Sequence, residues 1–385
     1  MEHRFIANKY WEETENVFGT IAEKIKDIDD CINLSIGDPD LTTDPAITEA
    51  AFKDALNGHT KYTHIRGYVE LRDEIRKFYE EEYNMNVKDE EVIVMASGLF
   101  GMYMTLQAVL NPGDEVLVLT PSFSSYFGQV KMAGGVPIQV PTYEEEDFQI
   151  NIERLEKFVT PKTKVLIVNS PSNPTGNCLS KQTMEGIAKF AMQYDLLVIA
   201  DDIYTSFSFQ NKFEPIASIP GMKERTVIIN SFSKNYLMTG WRIGAVIGPE
   251  YIVRVIAEIN ECVVFSAPAV SQRAALYAIR NRRTIQPPII EEYKKRMEYA
   301  AKRINQVPWM KVIEPPKGSF YLFINVKELG LTSTEVCNML LEKAHVLFLP
   351  GNLFGDCGEG YIRMACTVGV DKIKEAFDRI EKIKK

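Results

Sequence analysis

Short apolar runs punctuate the chain at 92–96 (VIVMA), 115–119 (EVLVL), 164–168 (KVLIV), 196–200 (LLVIA) and 226–230 (TVIIN). They are rich in Val and Ile and nearly continuous rather than alternating. A strand buried on both faces reads this way, because neither side of the pleat meets water. Between the runs, apolar residues recur at helical spacing at about 98–110, 122–133 and 180–194. Two earlier helical patterns lie at 45–57 and 68–83, and Asp44-Pro45 opens the first as N-cap and first-turn residue. Strand–helix alternation of this kind predicts an α/β fold with a mostly parallel sheet between helices.

The texture changes near residue 283. Gln286-Pro287-Pro288 is expected to interrupt one helical pattern, and a long one rich in Glu, Lys and Arg follows at about 289–306. Beyond it the pattern predicts a strand at 320–324, a helix at 333–343, a strand at 361–365 and a helix at 370–384. The expected division is a large α/β domain over 40–282 and a smaller α+β domain over 283–385, with residues 1–39 packing against the smaller one. A chain of 385 residues has room for both cores. No apolar stretch approaches the roughly 20 residues of a membrane span. The charged start, MEHRFIANKYWEETENVFG, lacks the apolar core of a secretory signal.

Lys and Arg number 44 against 52 Asp and Glu, a net charge of −8. That balance gives no general attraction to phosphate backbones and argues against a nucleic-acid binder. Any anionic ligand must be held by a few local cations. The six cysteines form no CxxC pair and the four histidines no HExxH. No metal site or disulfide framework is expected, and a reducing cytoplasm is the default location.

The richest stretch is 227–248, VIINSFSKNYLMTGWRIGAVIG. A buried strand ends at Asn230, and Ser231, Ser233, Lys234 and then Arg242 follow. A lysine just past a buried strand sits at the rim where α/β proteins hold ligands. Partial desolvation lowers its pKa and makes the amine nucleophilic. The hydroxyls and the arginine would form a phosphate cradle. Taken alone, the same letters also describe a surface lysine beside a Ser-rich turn. Three more segments reach this rim. NSPSNPTG after the strand at 164–168 brings Asn169 and Asn173, although Asn-Pro and Pro-Thr-Gly are ordinary turn formers. The strand at 196–200 leads into Asp201, Asp202 and Tyr204, where an acid can equally cap a helix. The strand at 92–96 leads into Ser97-Gly98, a helix start that suits a phosphate or is a plain cap. A lysine, an acid, an Asn, a Tyr and a phosphate nest at one sheet edge are the set that pyridoxal phosphate requires. A nicotinamide cofactor fits less well. No GxGxxG lies between a strand and a helix, and glycines 351, 355, 358 and 360 have the wrong spacing.

The segments SIGDPD (35–40), KYTHIRGYVELR (61–72), SG (97–98), NPGDEVLV (111–118), PSFSSY (121–126), NSPSNPTG (169–176), ADDIY (200–204), SFSKNYLMTGWRIG (231–244) and YIRMA (361–365) occur in one order. In that order and spacing the chain resembles the class I/II aminotransferases of PLP fold type I over nearly its whole length. The resemblance implies a PLP-dependent aminotransferase that moves an amino group between an L-amino acid and a 2-oxo acid in a ping-pong cycle. It implies that Lys234 carries the cofactor as a Schiff base and shuttles a proton. Asp201 would pair with the pyridinium N–H, and Asn173 and Tyr204 would hold the ring 3′-oxygen. Ser231, Ser233 and Arg242 would grip the phosphate, helped by the helix start at Ser97, Gly98, Leu99 and Phe100. Phe123 would stack on the pyridine ring. Arg363 would hold the substrate α-carboxylate, with Asn173 and the Gly37 backbone beside it. Without the resemblance, Arg363 reads as a surface arginine on a late strand. Tyr62 would reach the phosphate of a neighbouring subunit's cofactor, so a homodimer is the expected functional unit.

A lyase, decarboxylase or racemase on the same scaffold would use the same Lys234 and Asp201. A PLP-sensing regulator would add a basic helix-turn-helix, and the short N-terminus and net charge of −8 argue against that reading. One aspartate-aminotransferase subgroup similar to this chain carries a lysine where Phe100 stands. An apolar wall of Phe100 and Phe123 is expected to favour aromatic or large apolar side chains over aspartate. Arg66, beside Tyr62, would restore a charge if it reached across the dimer. The aromatic-rich stretch 5–11 (FIANKYW) would form a lid or pack against the smaller domain.

Overall fold

The computed structural model describes residues 3–10, 26 and 28–383. A short strand, Ile32–Asn33 (β1), precedes the helices Pro45–Leu56 (α1) and Val69–Tyr83 (α2). The central sheet takes Val92–Met95 (β2), Glu115–Thr120 (β3), Val136–Pro141 (β4), Thr163–Asn169 (β5), Leu197–Asp201 (β6), Thr226–Ser231 (β7) and Gly244–Ile247 (β8). In space the order is β2-β8-β7-β6-β5-β3-β4, and only β8 runs antiparallel to its neighbours. Helices Gly98–Val109 (α3), Ser125–Met132 (α4), Ile152–Glu156 (α5), Lys181–Gln193 (α6), Phe232–Asn235 (α7), Glu250–Val263 (α8) and Ala269–Arg280 (α9) connect and cover it.

The strands are apolar on both sides because both sides are covered. Ile93, Val116, Ile167 and Val227 pack with Met102, Val130 and Ile256 on one face. Their neighbours Val94, Leu117, Leu166 and Ile228 pack with Ile75 and Ile187 on the other. Two strands escape the apolar-run reading. β4, VPIQVP, carries prolines that suit an edge strand, which is where it lies. β8 has only four residues. The helix starts follow local chemistry. The Asp44 carboxylate accepts the Ala46 N–H at 2.8 Å, and Ser180 Oγ accepts the Thr183 N–H at 3.1 Å.

The expected interruption at 286–288 is absent. Arg282–Gln306 (α10) is one helix of 25 residues with Pro287 and Pro288 inside it. Arg282 is buried and paired with Glu81, and Ile285, Ile289 and Tyr293 enter the core. This packing on both sides of the prolines outweighs the roughly 3 kcal/mol that an interior proline costs a helix. α10 spans residue 283, where the smaller domain was expected to begin.

The remaining elements are Tyr321–Asn325 (β9), Ser333–Ala344 (α11), Val346–Leu347 (β10), Leu349–Pro350 (β11), Tyr361–Ala365 (β12) and Val370–Ile380 (α12). β11, β12 and β9 form an antiparallel sheet in which Arg363 lies between Leu349 and Phe323. α10 packs on α7 and α9 and also on α12 and β9, which joins the two sheets. β1 pairs in parallel with β10, Ile32 opposite Val346, so this part of the expected N-terminal segment runs along the C-terminal elements. Residues 1, 2, 11–25 and 27 of that segment lie outside the described residues. Among the described residues no helix is long and apolar enough to cross a membrane.

Candidate active site

Parallel strands present all their carboxyl ends to one edge, so the residues that follow them converge. A cavity of about 280 Å³ lies there. Ser97, Gly98 and Leu99 reach it from the end of β2, Phe123 and Tyr126 from β3, and Asn169 and Asn173 from β5. Asp201 and Tyr204 reach it from β6, and Ser231, Ser233, Lys234 and Arg242 from β7 and its continuation. Gly37 and Arg363 belong to the same wall and come from the layer of the smaller sheet.

Lys234 stands on α7, directly after β7, and its Nζ donates to the Gly37 carbonyl. Burial pulls its pKa down to about 8, the charges of Arg363 and Arg242 add to this, and Asp38 opposes it. Such an amine has a usable neutral fraction near neutral pH. Asp201 accepts a hydrogen bond from Tyr126 Oη on Oδ2, while its Oδ1 is buried without a partner. Burial pushes its pKa up to about 6, against the hydrogen bonds from Tyr126 and the Ile203 backbone. Asp202 is buried as well but is not on the cavity wall. Burial and the Asp201 charge raise its pKa well above the carboxylate range. It caps no α-helix; only the short 3-10 turn Thr205–Phe207 follows.

Arg363 is 4% exposed. Its Nη1 donates to Asn173 Oδ1 at 3.1 Å and its Nη2 to the Ser35 carbonyl. The guanidinium lies 4.5 Å from the Tyr321 ring centroid and 4.9 Å from that of Phe354. Its Nε has no partner, and no carboxylate among the described residues pairs with it. A buried guanidinium without a counter-ion is costly, and a carboxylate presented to its planar fork relieves that cost. Tyr204 Oη lies 3.3 Å from Tyr321 Oη beside it.

Other residues of the wall suit an anion. Ser97 takes φ 99° and ψ 158°, a region nearly confined to glycine, and caps α3 by accepting the Phe100 N–H at 3.1 Å. Ser231 Oγ accepts the Ser233 N–H at 3.2 Å. Arg242 bonds the Thr239 carbonyl at 2.7 Å and makes no ion pair among the described residues. A helix start, hydroxyls and an uncommitted guanidinium together attract a phosphate.

Three expected residues lie elsewhere. The Phe100 side chain is not on the cavity wall; it packs against the buried cluster behind α3. Successive helix residues point about 100° apart, so Leu99 faces the cavity and Phe100 faces away. The apolar wall therefore includes Leu99, Met102 and Phe123 but not Phe100. Tyr62 is 87% exposed, packs on Phe265 at 5.1 Å between centroids and does not line its own chain's cavity. Arg66 is held by Asp89 at 2.8 Å, a carboxylate that also binds Arg72. The described part of the aromatic stretch, residues 5–8 and 10, is not on the cavity wall, and Trp11 lies outside the described residues. Sequence reasoning gave no role to Tyr126, Tyr321 or Asp38, all on the wall. Tyr126 stands three residues after Phe123, one helical turn on, which was its available signal.

The family model for aminotransferase class I and II matches residues 29–380. The chain belongs to the class I and II aminotransferases. It is 41% identical to an aspartate aminotransferase of Pyrococcus abyssi over 94% of this chain and 93% of that one. It is 38% identical to aromatic-amino-acid aminotransferase 2 of Thermococcus litoralis, over 93% of this chain and 92% of that one. A solved structure of an aromatic aminotransferase from Pyrococcus horikoshii OT3 superposes with a TM-score of 0.89 at 36% identity, covering 94% and 98% of the two chains. The protein is thus a transferase enzyme, and these relatives favour transamination over the lyase and regulator readings.

In this aminotransferase Gly37 is a contact that only glycine can make. A Cβ there would lie 1.8 Å from Tyr321 Oη. Gly37→Ala must therefore push Tyr321 away from Tyr204 and Arg363. We expect kcat/KM to fall about 100-fold with little change in melting temperature. Activity within twofold of the wild type would show that the close approach is not required.

Proposed function

We propose that this aminotransferase uses pyridoxal 5′-phosphate attached at Lys234 and works as a cytoplasmic homodimer. One observation carries the cofactor reading. Asp201 Oδ1 is a buried carboxylate oxygen without a partner, on the same wall as a lysine of lowered pKa. A protonated ring nitrogen is the donor that this oxygen lacks. The other residues fit the same group. The Gly98 and Leu99 N–H groups, Ser231, Ser233 and Arg242 suit its phosphate. Asn173 and Tyr204 suit a ring oxygen, and Phe123 offers a flat apolar face.

When bound, the cofactor supplies an electron sink for the bond broken at the substrate α-carbon. The chain's own residues do the rest. Arg363, steadied by Asn173 and stacked on Tyr321, clamps the α-carboxylate of the amino acid or 2-oxo acid. Lys234 Nζ takes the proton from the α-carbon and returns it. Asp201, ionised and shielded from water, keeps a proton on the ring nitrogen. The amino group passes from an L-amino acid to a 2-oxo acid in two half-reactions at one site, a ping-pong cycle. An amino acid added to the loaded protein should convert its cofactor to the amine form without releasing ammonia. Asp201→Asn should slow this by about 10²–10³-fold, and Asp202→Asn by less than tenfold. Equal losses would mean that the register of the two aspartates is wrong.

Tyr62, exposed beside the partly exposed Phe265, supports a partner subunit over this pair of rings. In a homodimer Tyr62 serves the other chain's phosphate. Mixing Tyr62→Ala with Lys234→Ala chains then creates heterodimers with one intact site. Activity should rise above that of either parent; no rise after subunit exchange would contradict shared sites.

A further inference from the structure

On the homodimer reading above, Tyr62 serves the partner's phosphate, so its direction has to be fixed from within its own chain. Its exposed ring packs edge-on against the ring of Phe265. Two segments carry this pair, the loop 61–68 and the turn 264–268 between α8 and α9. One fully buried side chain ties them together, that of Gln272 on α9. Its Nε2 donates to Thr63 Oγ1 at 3.1 Å, next to Tyr62, and to the Ala267 carbonyl at 2.8 Å, two residues past Phe265. Its Oε1 accepts the Tyr68 N–H at 2.7 Å, where α2 begins. Tyr68 offers a donor there and Ala267 an acceptor, so the amide has a single orientation. Gly67 lies close against it: a Cβ at that residue would stand 2.8 Å from Gln272 Oε1. Phe265 is itself held in a costly backbone shape, with φ at 70°, an outlier for a bulky residue. Buried Asn260 of α8 fixes it from both sides. The Asn260 carbonyl accepts the Phe265 N–H at 2.8 Å, and Asn260 Nδ2 donates to the Phe265 carbonyl at 3.1 Å.

We infer that Gln272 is a positioning residue that acts across the dimer, holding Tyr62 where the partner's cofactor phosphate needs it. The inference rests on the shared-site reading of Tyr62. A fully buried amide is costly unless its bonds are made, and an apolar side chain would fill the same space without that cost. The three bonds of Gln272 go to the loop after Tyr62, to the turn that carries Phe265 and to the start of α2. The tyrosine then meets the phosphate already ordered, so little binding free energy is lost in fixing it. Neither Gln272 nor the residues it bonds lie on the cavity wall of their own chain. Its influence is therefore directed at the other chain's site.

Heterodimers purified through two different tags test this. One chain keeps Lys234 and the other carries Lys234→Ala, so one lysine site remains, and its phosphate meets Tyr62 of the Lys234→Ala chain. The quantity read is the dissociation constant of pyridoxal 5′-phosphate at that site, followed by the absorbance of the lysine-bound cofactor. Gln272→Met placed on the Lys234→Ala chain should weaken binding about fivefold, the worth of about one buried hydrogen bond. Placed on the chain that keeps Lys234, it should change binding less than about twofold, whereas a lesion that merely loosened the fold would act on the chain that carries it. Thr63→Val removes only the loop-side bond and should give the same one-sided loss, about threefold, and Thr63→Ser should restore wild-type binding. The Thr63 pair decides the matter if Gln272→Met does not fold. Losses that are equal on the two chains, or larger on the chain that keeps Lys234, would overturn the inference. So would no loss from Gln272→Met or Thr63→Val where Tyr62→Ala on the Lys234→Ala chain does weaken binding. If Tyr62→Ala there has no effect, the shared-site reading itself fails and this inference fails with it.

Discussion

Asp201 ends a strand that is buried on both faces, so its carboxylate reaches the site with almost no water to solvate it. One oxygen is satisfied by Tyr126 and the other is not. The same dry rim lowers the pKa of Lys234 and holds Arg363 without a counter-ion. Desolvation is therefore the constraint on which the site depends. Three charged groups are held in one cavity where each is poorly compensated by the protein alone, and charges on a ligand supply what is missing. The sheet meets this cost through the helices on both faces, which keep its strand ends in place.

Two layers must meet for this to work. The central sheet brings the lysine and the aspartate, and the smaller sheet brings Arg363. Contacts between them are short and specific. Lys234 bonds the Gly37 carbonyl, and Arg363 bonds Asn173. Farther out, Arg296 on α10 binds Asp40 at 2.7 Å, three residues from Gly37. These polar links between layers set the width of the cavity and explain why a methyl group at Gly37 has no room.

Much of this was legible in the chain. Val- and Ile-rich runs betray strands covered on both faces, and residues just beyond them converge because parallel strands end together. Lys234, Asp201, Asn173 and Ser97 were readable for that reason. What was not legible depended on approach from elsewhere. Tyr321 reaches the wall from a different sheet, and nothing near it in sequence marks it. Phe100 was misplaced because one step along a helix turns a side chain away from the site. The unbroken α10 was missed because proline penalties are local while Ile285, Ile289 and Tyr293 gain their burial from distant parts of the chain. β4 and β8 were hidden by prolines and by shortness.

The central claim is that the buried amine at the end of β7 is the point of covalent attachment. Borohydride reduction of the protein loaded with pyridoxal 5′-phosphate, followed by peptide mapping, tests it most directly. The account predicts one cofactor per chain, fixed on the peptide containing Lys234, and no label on that peptide in Lys234→Ala. Label on another lysine, or no label at all with the cofactor bound, would contradict it.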